Sequence, residues 1–152
     1  MNITLIAAEE EDRTFFRHAH HLAYRPVIEE MFGWNETKQD GYADKDFDER
    51  KPHIIHKEGR QVGVVGWQIK PDHIWFGPIF ILPEYQGQGI GTHVVKEFIK
   101  KAKVEKLPLR LQTLLLNEKA KAFYERLGFR TLDKSAVHWQ LEHTWDPKTA
   151  KQ

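Results

Sequence analysis

Apolar positions along the chain change their spacing from segment to segment, and the changes mark out its elements. Ile3-Thr4-Leu5-Ile6-Ala7 is short and rich in β-branched residues, which suits a first strand. Glu9-Glu10-Glu11-Asp12 follows as an acidic helix start, where negative charge complements the positive end of the helix dipole. Phe15 and Leu22 continue the helical pattern to Pro26, where a kink or a new helix is expected, since proline brings no N–H to the ladder. Val27, Ile28, Met31 and Phe32 form the apolar face of the next piece, and Gly33 stops it. Asn35 to Arg50 is polar and helical in part, with Phe47 as its anchor.

The period then shortens. Pro52 to His56, Val62 to Trp67 and the run ending at Leu82 are separated by the turns Glu58-Gly59-Arg60 and Pro71-Asp72-His73, and predict three consecutive antiparallel strands. Gly63 and Gly66, inside the second of them, imply a bulge or a close backbone neighbour. Val94, Val95, Phe98, Ile99 and Ala102 mark a helix from Gly91 to Lys103, with the lysines between Lys96 and Lys106 on its solvent face. Leu109 to Leu115 is a strand bounded by Pro108. Asn117 is an N-cap for the helix of Ala120, Phe123 and Leu127, which Gly128 ends. Phe129 to Leu132 and Val137 to Leu141 complete the sheet. The pattern predicts a single α+β domain over residues 1–145, a mixed, mostly antiparallel sheet flanked by helices, with 146–152 as a C-terminal tail.

Composition narrows the classes. A chain of 152 residues is one domain's length, and 40% hydrophobic with 30% charged residues suits a globular protein. The net charge of +1 gives no electrostatic reason to expect a nucleic acid or a membrane as partner. No cysteine occurs, so disulfides, thiolate metal sites and a cysteine nucleophile are excluded. The N-terminus lacks the features of a signal peptide and no apolar run approaches bilayer-spanning length, so a cytoplasmic location is expected. His18 and His21 stand at i, i+3 beside His20 without a carboxylate or cysteine at useful spacing, which points to a solvated helix. His53 and His56 fall on opposite faces of a strand. No metal is expected.

The candidate chemistry lies in Pro83-Glu84-Tyr85-Gln86-Gly87-Gln88-Gly89-Ile90-Gly91-Thr92, after the strand residues Ile79, Phe80 and Ile81. Glycines at a helix start admit a ligand to the backbone where the first helical N–H groups are still unpaired, which suits phosphate oxygens. The spacing is neither the dinucleotide G-x-G-x-x-G nor a Walker loop, for no lysine precedes Thr92. The pattern Gln86-x-x-Gly89-x-Gly91 resembles the acetyl-CoA pyrophosphate loop of the GNAT superfamily of N-acetyltransferases. The later block Asn117-x-x-Ala120-x-x-x-Tyr124-x-x-x-Gly128-Phe129 is also similar to that family's, and the resemblance extends from Ile3 to about Leu141.

The resemblance implies a GNAT-like sheet of about six to seven strands, and acetyl-CoA as co-substrate. It implies that backbone N–H groups of Gly87, Gln88, Gly89, Ile90, Gly91 and Thr92 take the pyrophosphate, with Gln86 in the same motif. It places Ile79, Phe80 and Ile81 against the pantetheine arm, the N–H of Ile81 polarising the thioester carbonyl. Asn117 would add a side-chain contact to its capping role, and Tyr124 would act as general acid toward the departing thiolate; their structural alternatives are a plain N-cap and a half-buried helix tyrosine. The position of a family glutamate, five residues ahead of Asn117, holds Gln112, so no general base is assigned; His138 or a glutamate between Glu29 and Glu36 are substitutes. Tyr24, Phe32, Trp34, Glu36, His138 and Trp139 are candidates to line an acceptor site.

The function this supports is acetyl transfer from acetyl-CoA to a primary amine, on a small molecule, a peptide N-terminus or a lysine, by direct attack in a ternary complex. A homodimer is left open. The rivals are a non-catalytic acyl-CoA-binding or regulatory module, favoured by Gln112, and an interaction domain without cofactor, for which the loop has no purpose.

Overall fold

The computed structural model describes residues 1–144. The C-terminal tail expected at 146–152 lies outside the described residues. In chain order the elements are β1 (Ile3–Ala7), α1 (Arg13–Phe32), α2 (Glu36–Arg50), β2 (His53–Lys57), β3 (Arg60–Ile69), β4 (Ile74–Ile81), α3 (Ile90–Glu105), β5 (Leu109–Leu114), α4 (Glu118–Arg126), β6 (Arg130–Lys134) and β7 (His138–His143). The strands form a seven-stranded sheet in the order β1-β2-β3-β4-β5-β7-β6, mostly antiparallel, with β4 and β5 parallel. No helix among the described residues is long and apolar enough to cross a membrane.

The chain divides into two compact units. The first comprises Met1–Trp67 and Pro78–Gly91; the second comprises Gln68–Gly77 and the chain from Thr92 onward.

In the first unit, β1 pairs with β2, and β2 with β3, both antiparallel. Phe16 and Ala19 of α1, Ala43 and Phe47 of α2, and Ile54, Val64, Phe80 and Leu82 of the strands form its core. The ring of Phe16 packs on those of Phe47 and Phe80, with centroids 5.6 and 6.2 Å away. Although α2 is polar overall, Gln39, Ala43 and Phe47 recur every four residues and are its buried stripe. Asn35 caps it by accepting from the N–H of Lys38 at 2.9 Å.

No new helix begins at Pro26: α1 runs through it to Phe32 and is ended by Gly33 at φ 79°. Proline deprives the carbonyl of Leu22 of its donor, but Leu22 and Pro26 are both exposed, so water can replace the lost bond. The reading of the histidine-bearing stretch as a solvated face also fails for His20, which is only 2% exposed.

Gly63 of β3 has the close backbone neighbour that its place in a strand implied. A Cβ there would overlap the carbonyl oxygen of Phe80 and stand 3.2 Å from Cα of Ile81. Beside it, the N–H of Leu82 donates to the carbonyl of Val62 at 2.9 Å. In the second unit, β7 pairs antiparallel with both β5 and β6, and α3 buries Val94, Val95, Phe98 and Ala102 while Lys96, Lys100, Lys103 and Lys106 stay exposed. The ring of Phe76 lies 4.9 Å from that of Phe98. Parallel pairing of β4 with β5 takes in Ile74↔Leu109 and Trp75↔Arg110, ahead of Gly77 at φ 127° and Pro78, which has no N–H to give.

Two outcomes follow from this packing. Gly63→Ala forces backbone against backbone and lowers unfolding free energy by about 3 kcal/mol or more, read from urea denaturation. Burial pushes the imidazole of His20 down from 6.5 to about 4. Between those values the unfolded chain binds a proton that the folded chain does not, so stability is full above the unfolded pKa and falls as the pH is lowered toward about 4. His53, also lowered by burial, adds to the same slope. Urea midpoints recorded from pH 7 to pH 4 decline less steeply in His20→Gln than in the wild type.

Candidate active site

In the first unit, the end of β4 sets the geometry of the predicted strand residues Ile79, Phe80 and Ile81. Successive residues of a strand turn their N–H and C=O groups to opposite edges. The N–H of Leu82 is directed to β3 and the carbonyl of Phe80 lies against Gly63, so Ile79 and Ile81 turn their backbone groups to the edge away from β3. Phe80, predicted together with them, has its backbone on the β3 side and its ring in the core.

Beyond Ile81 the chain makes one 3-10 turn over Pro83–Tyr85, with the N–H of Gln86 donating to the carbonyl of Pro83 at 3.2 Å. The side chain of Gln86 returns to β4, its Nε2 donating to the carbonyl of Ile81 at 2.9 Å. That bond ties the loop to the strand residue predicted to face the thioester. Gly87 and Gly89 then adopt φ of 78° and 81°, a region that strains other residues, and α3 begins at Ile90. A Cβ on Gly87 would meet nothing within 4 Å, and one on Gly89 only Cε of Met1 at 3.6 Å. The glycines are therefore required by backbone conformation, and open space beside them is compatible with a ligand. Sequence reasoning missed Lys57 at the end of β2, whose Nζ donates to Oε1 of Gln88 at 2.8 Å and brings a cation to the loop. The two positions are 31 residues apart, and no local pattern links them.

In the second unit, Thr92 lies in the first turn of α3 and is half-buried. Asn117 caps α4, its Oδ1 accepting from the N–H of Ala120 at 3.2 Å. Tyr124 is buried on the same helix, its ring 5.1 Å from Phe123 and 5.4 Å from Phe129. Gly128 ends that helix at φ 99°. Gln112 is exposed on β5, opposite Gln140, while the buried hydroxyl of neighbouring Thr113 has no hydrogen-bond partner among the described residues.

The residues proposed to line an acceptor site sort in the same way. In the first unit, Tyr24 packs on Phe80 with centroids 5.0 Å apart, and burial pushes its phenol up to about 12. Trp34 donates from Nε1 to Oε2 of Glu36 at 2.6 Å, its ring lies 5.1 Å from that of His21, and Arg25 stands over it at 5.3 Å. Phe32 is exposed, as is Glu30, and Glu29 is held by Arg25. In the second unit, Trp139 has Nζ of Lys121 and of Lys134 at 4.6 and 4.8 Å from its ring centroid, and burial lowers the pKa of His138.

The histidine stretch of α1 does meet carboxylates, contrary to the expectation from spacing. Nε2 of His21 lies 2.6 Å from Oδ1 of Asp40 and 3.7 Å from Oε1 of Glu36, both supplied by α2. Nδ1 of His21 is 2.9 Å from Nδ1 of His20, whose ring packs edge-on against Tyr24 and Phe80 at 4.8 and 5.8 Å. These distances describe a hydrogen-bonded chain from the surface to the core.

Solved structures share this architecture. The PaiA N-acetyltransferase from Thermoplasma acidophilum, solved in complex with coenzyme A, superposes with a TM-score of 0.77 at 16% identity, over 95% of this chain and 99% of that one. An acetyltransferase from Thermus thermophilus gives 0.74 at 18% identity, over 95% and 97%. The ribosomal-protein-S18-alanine N-acetyltransferase from Escherichia coli gives 0.68 at 19% identity, over 95% of each chain. At these identities the likeness is one of fold. The sequence itself adds the family: residues 10–129, which include the glycine loop, Asn117 and Tyr124, match the model of the acetyltransferase (GNAT) family, and the chain belongs to it.

Proposed function

We propose that this protein transfers an acetyl group from acetyl-CoA to a primary amine, carried by a small molecule, a peptide N-terminus or a lysine, by direct attack within a ternary complex. The observation that carries this reading is the loop between β4 and α3, in which Gly87 and Gly89 hold positive φ beside open space and Gln86 fastens the loop to Ile81. Bound acetyl-CoA supplies the acyl group as a thioester and departs as a thiol. The N–H groups from Gly87 to Thr92 hold its pyrophosphate, aided by the dipole of α3 and by Lys57. The N–H of Ile81, turned away from β3, donates to the thioester oxygen as that atom gains charge. Asn117 steadies the cofactor arm. Tyr124 gives a proton to the leaving sulfur, a role open to a phenol because its ordinary pKa of about 10 keeps it protonated at neutral pH.

One observation favours the second reading, an acyl-CoA-binding module without turnover: Gln112 stands exposed where a carboxylate would serve as base. Calorimetry with acetyl-CoA, joined to turnover on a panel of amines, separates the two. The proposal predicts binding that Gly89→Glu abolishes, because the variant sets an anion and a strained φ in the phosphate loop. It also predicts that Tyr124→Phe lowers kcat by about 100-fold while the Kd for CoA stays within about twofold. Binding without turnover on any amine supports the second reading, and absence of binding removes both.

A further inference from the structure

The acyl transfer proposed above releases a proton from the attacking nitrogen, and neither Gln112 nor any carboxylate on β4 can take it. We propose that Asp40, His21 and His20 form a proton relay that presents the Nε2 lone pair of His20, above Phe80 of β4, as the proton acceptor in that reaction.

With His21 neutral, hydrogen-bond bookkeeping gives the relay one direction. An ionised carboxylate only accepts, so at 2.6 Å from Asp40 the Nε2 of His21 must be the donor. In the neutral ring Nδ1 of His21 is then the acceptor. With His21 in that form, the contact at 2.9 Å is donated by Nδ1–H of His20, which leaves the lone pair on Nε2. That Nε2 has no hydrogen-bond partner among the described residues. Asp40 thus selects the tautomer of a histidine it does not touch, through His21 as a positioning residue.

The surroundings suit the role. His20 rests on the ring of Phe80, whose neighbours Ile79 and Ile81 turn their backbone groups to the proposed cofactor edge. Burial pushes its pKa down to about 4, so the imidazole is neutral at pH 7, and the charge of Asp40 offsets part of the cost of protonating it. The buried phenol of Tyr24, packed edge-on against it, stays protonated and places no charge there. The charged groups facing the chain are few. Arg17 of α1 has Nε 3.8 Å from Asp40, Glu36 of α2 lies 3.7 Å from Nε2 of His21, and Arg25 of α1 stands over the neighbouring Trp34; β4 contributes the uncharged ring of Phe80.

As the N–C bond forms and the C–S bond breaks, the proton shed by nitrogen goes to Nε2 of His20. The Nδ1 proton of His20 then shifts toward His21, and the Nε2 proton of His21 toward Asp40, so the new positive charge is shared with a part-exposed carboxylate. The sulfur takes its proton from Tyr124. Both groups return to their starting forms by exchange with water.

The inference rests on the proposed acetyl transfer, and two measurements keep the claims separate. Long-range 1H–15N spectra of the imidazoles at pH 7 should show His20 protonated on Nδ1 and His21 on Nε2, with Asp40→Asn mixing the tautomers of His20. A wild-type His20 protonated on Nε2 overturns the relay whatever the activity. In kinetics with spermidine, a tetrapeptide bearing a free N-terminus and a lysine amide as acceptors, His20→Gln should lower kcat about 100-fold with the Kd for CoA unchanged. Asp40→Asn should move the acid limb of the pH–kcat profile to lower pH, because the carboxylate that favours imidazolium is gone. A wild-type kcat in His20→Gln, or an unmoved acid limb in a stably folded Asp40→Asn, overturns the assignment. If the wild-type protein acetylates none of the three amines, the acyl-transfer reading fails, and the His20 tautomer alone decides whether the relay exists.

Discussion

In the first unit, the seating of β4 on Gly63 is the constraint from which the strand edge proposed for the cofactor follows. Because no side chain stands between them, the Phe80 carbonyl comes down over β3 and Leu82 bonds to Val62. Strand alternation then has only one solution for the intervening residues: Ile79 and Ile81 present their backbone groups at the opposite edge. The same placement puts the Phe80 ring beneath α1, where it meets Phe16, His20 and Tyr24. One glycine contact thereby fixes both the strand edge proposed for the cofactor and the floor under the proposed proton acceptor.

From Ile81 the order passes into the loop through the Gln86 side chain, which bonds to the Ile81 carbonyl. Gly87 and Gly89 then provide the positive φ values that bring the chain round to the start of α3. Motif residues commonly credited with ligand contact thus also have a structural task here, which is to hold the turn in shape before any ligand arrives. Asn117 shows the same economy in the second unit, since its capping bond to Ala120 positions the helix that bears Tyr124.

What the sequence made legible was whatever depends on local chemistry. The strand glycine at 63, the loop glycines, the cap at Asn117 and the stop at Gly128 each follow from what one residue type permits, and the structure has each of them. The family block and the mostly antiparallel sheet were readable for the same reason. Pro26 starts no new helix because local propensity was offset by exposure, which leaves the freed carbonyl of Leu22 to water. The links His21–Asp40 and Lys57–Gln88 were invisible because they join residues 19 and 31 positions apart, brought together only by the packing of α1 on α2 and by the return of the chain to the end of β2. His20 was misjudged through its neighbours: a polar, histidine-rich stretch reads as solvated until the rings of Phe80 and Tyr24 are placed against it.

The central claim is that the edge of β4 away from β3 and the glycine turn form one ligand-binding surface in the first unit. Amide hydrogen exchange with and without CoA tests it residue by residue. The account predicts slowed exchange at Ile81 and at Gly89, Ile90 and Gly91 when CoA is added, with the amide of Leu82, already bonded to Val62, unchanged. Protection confined to other elements, with Ile81 and the loop exchanging as before, would contradict it.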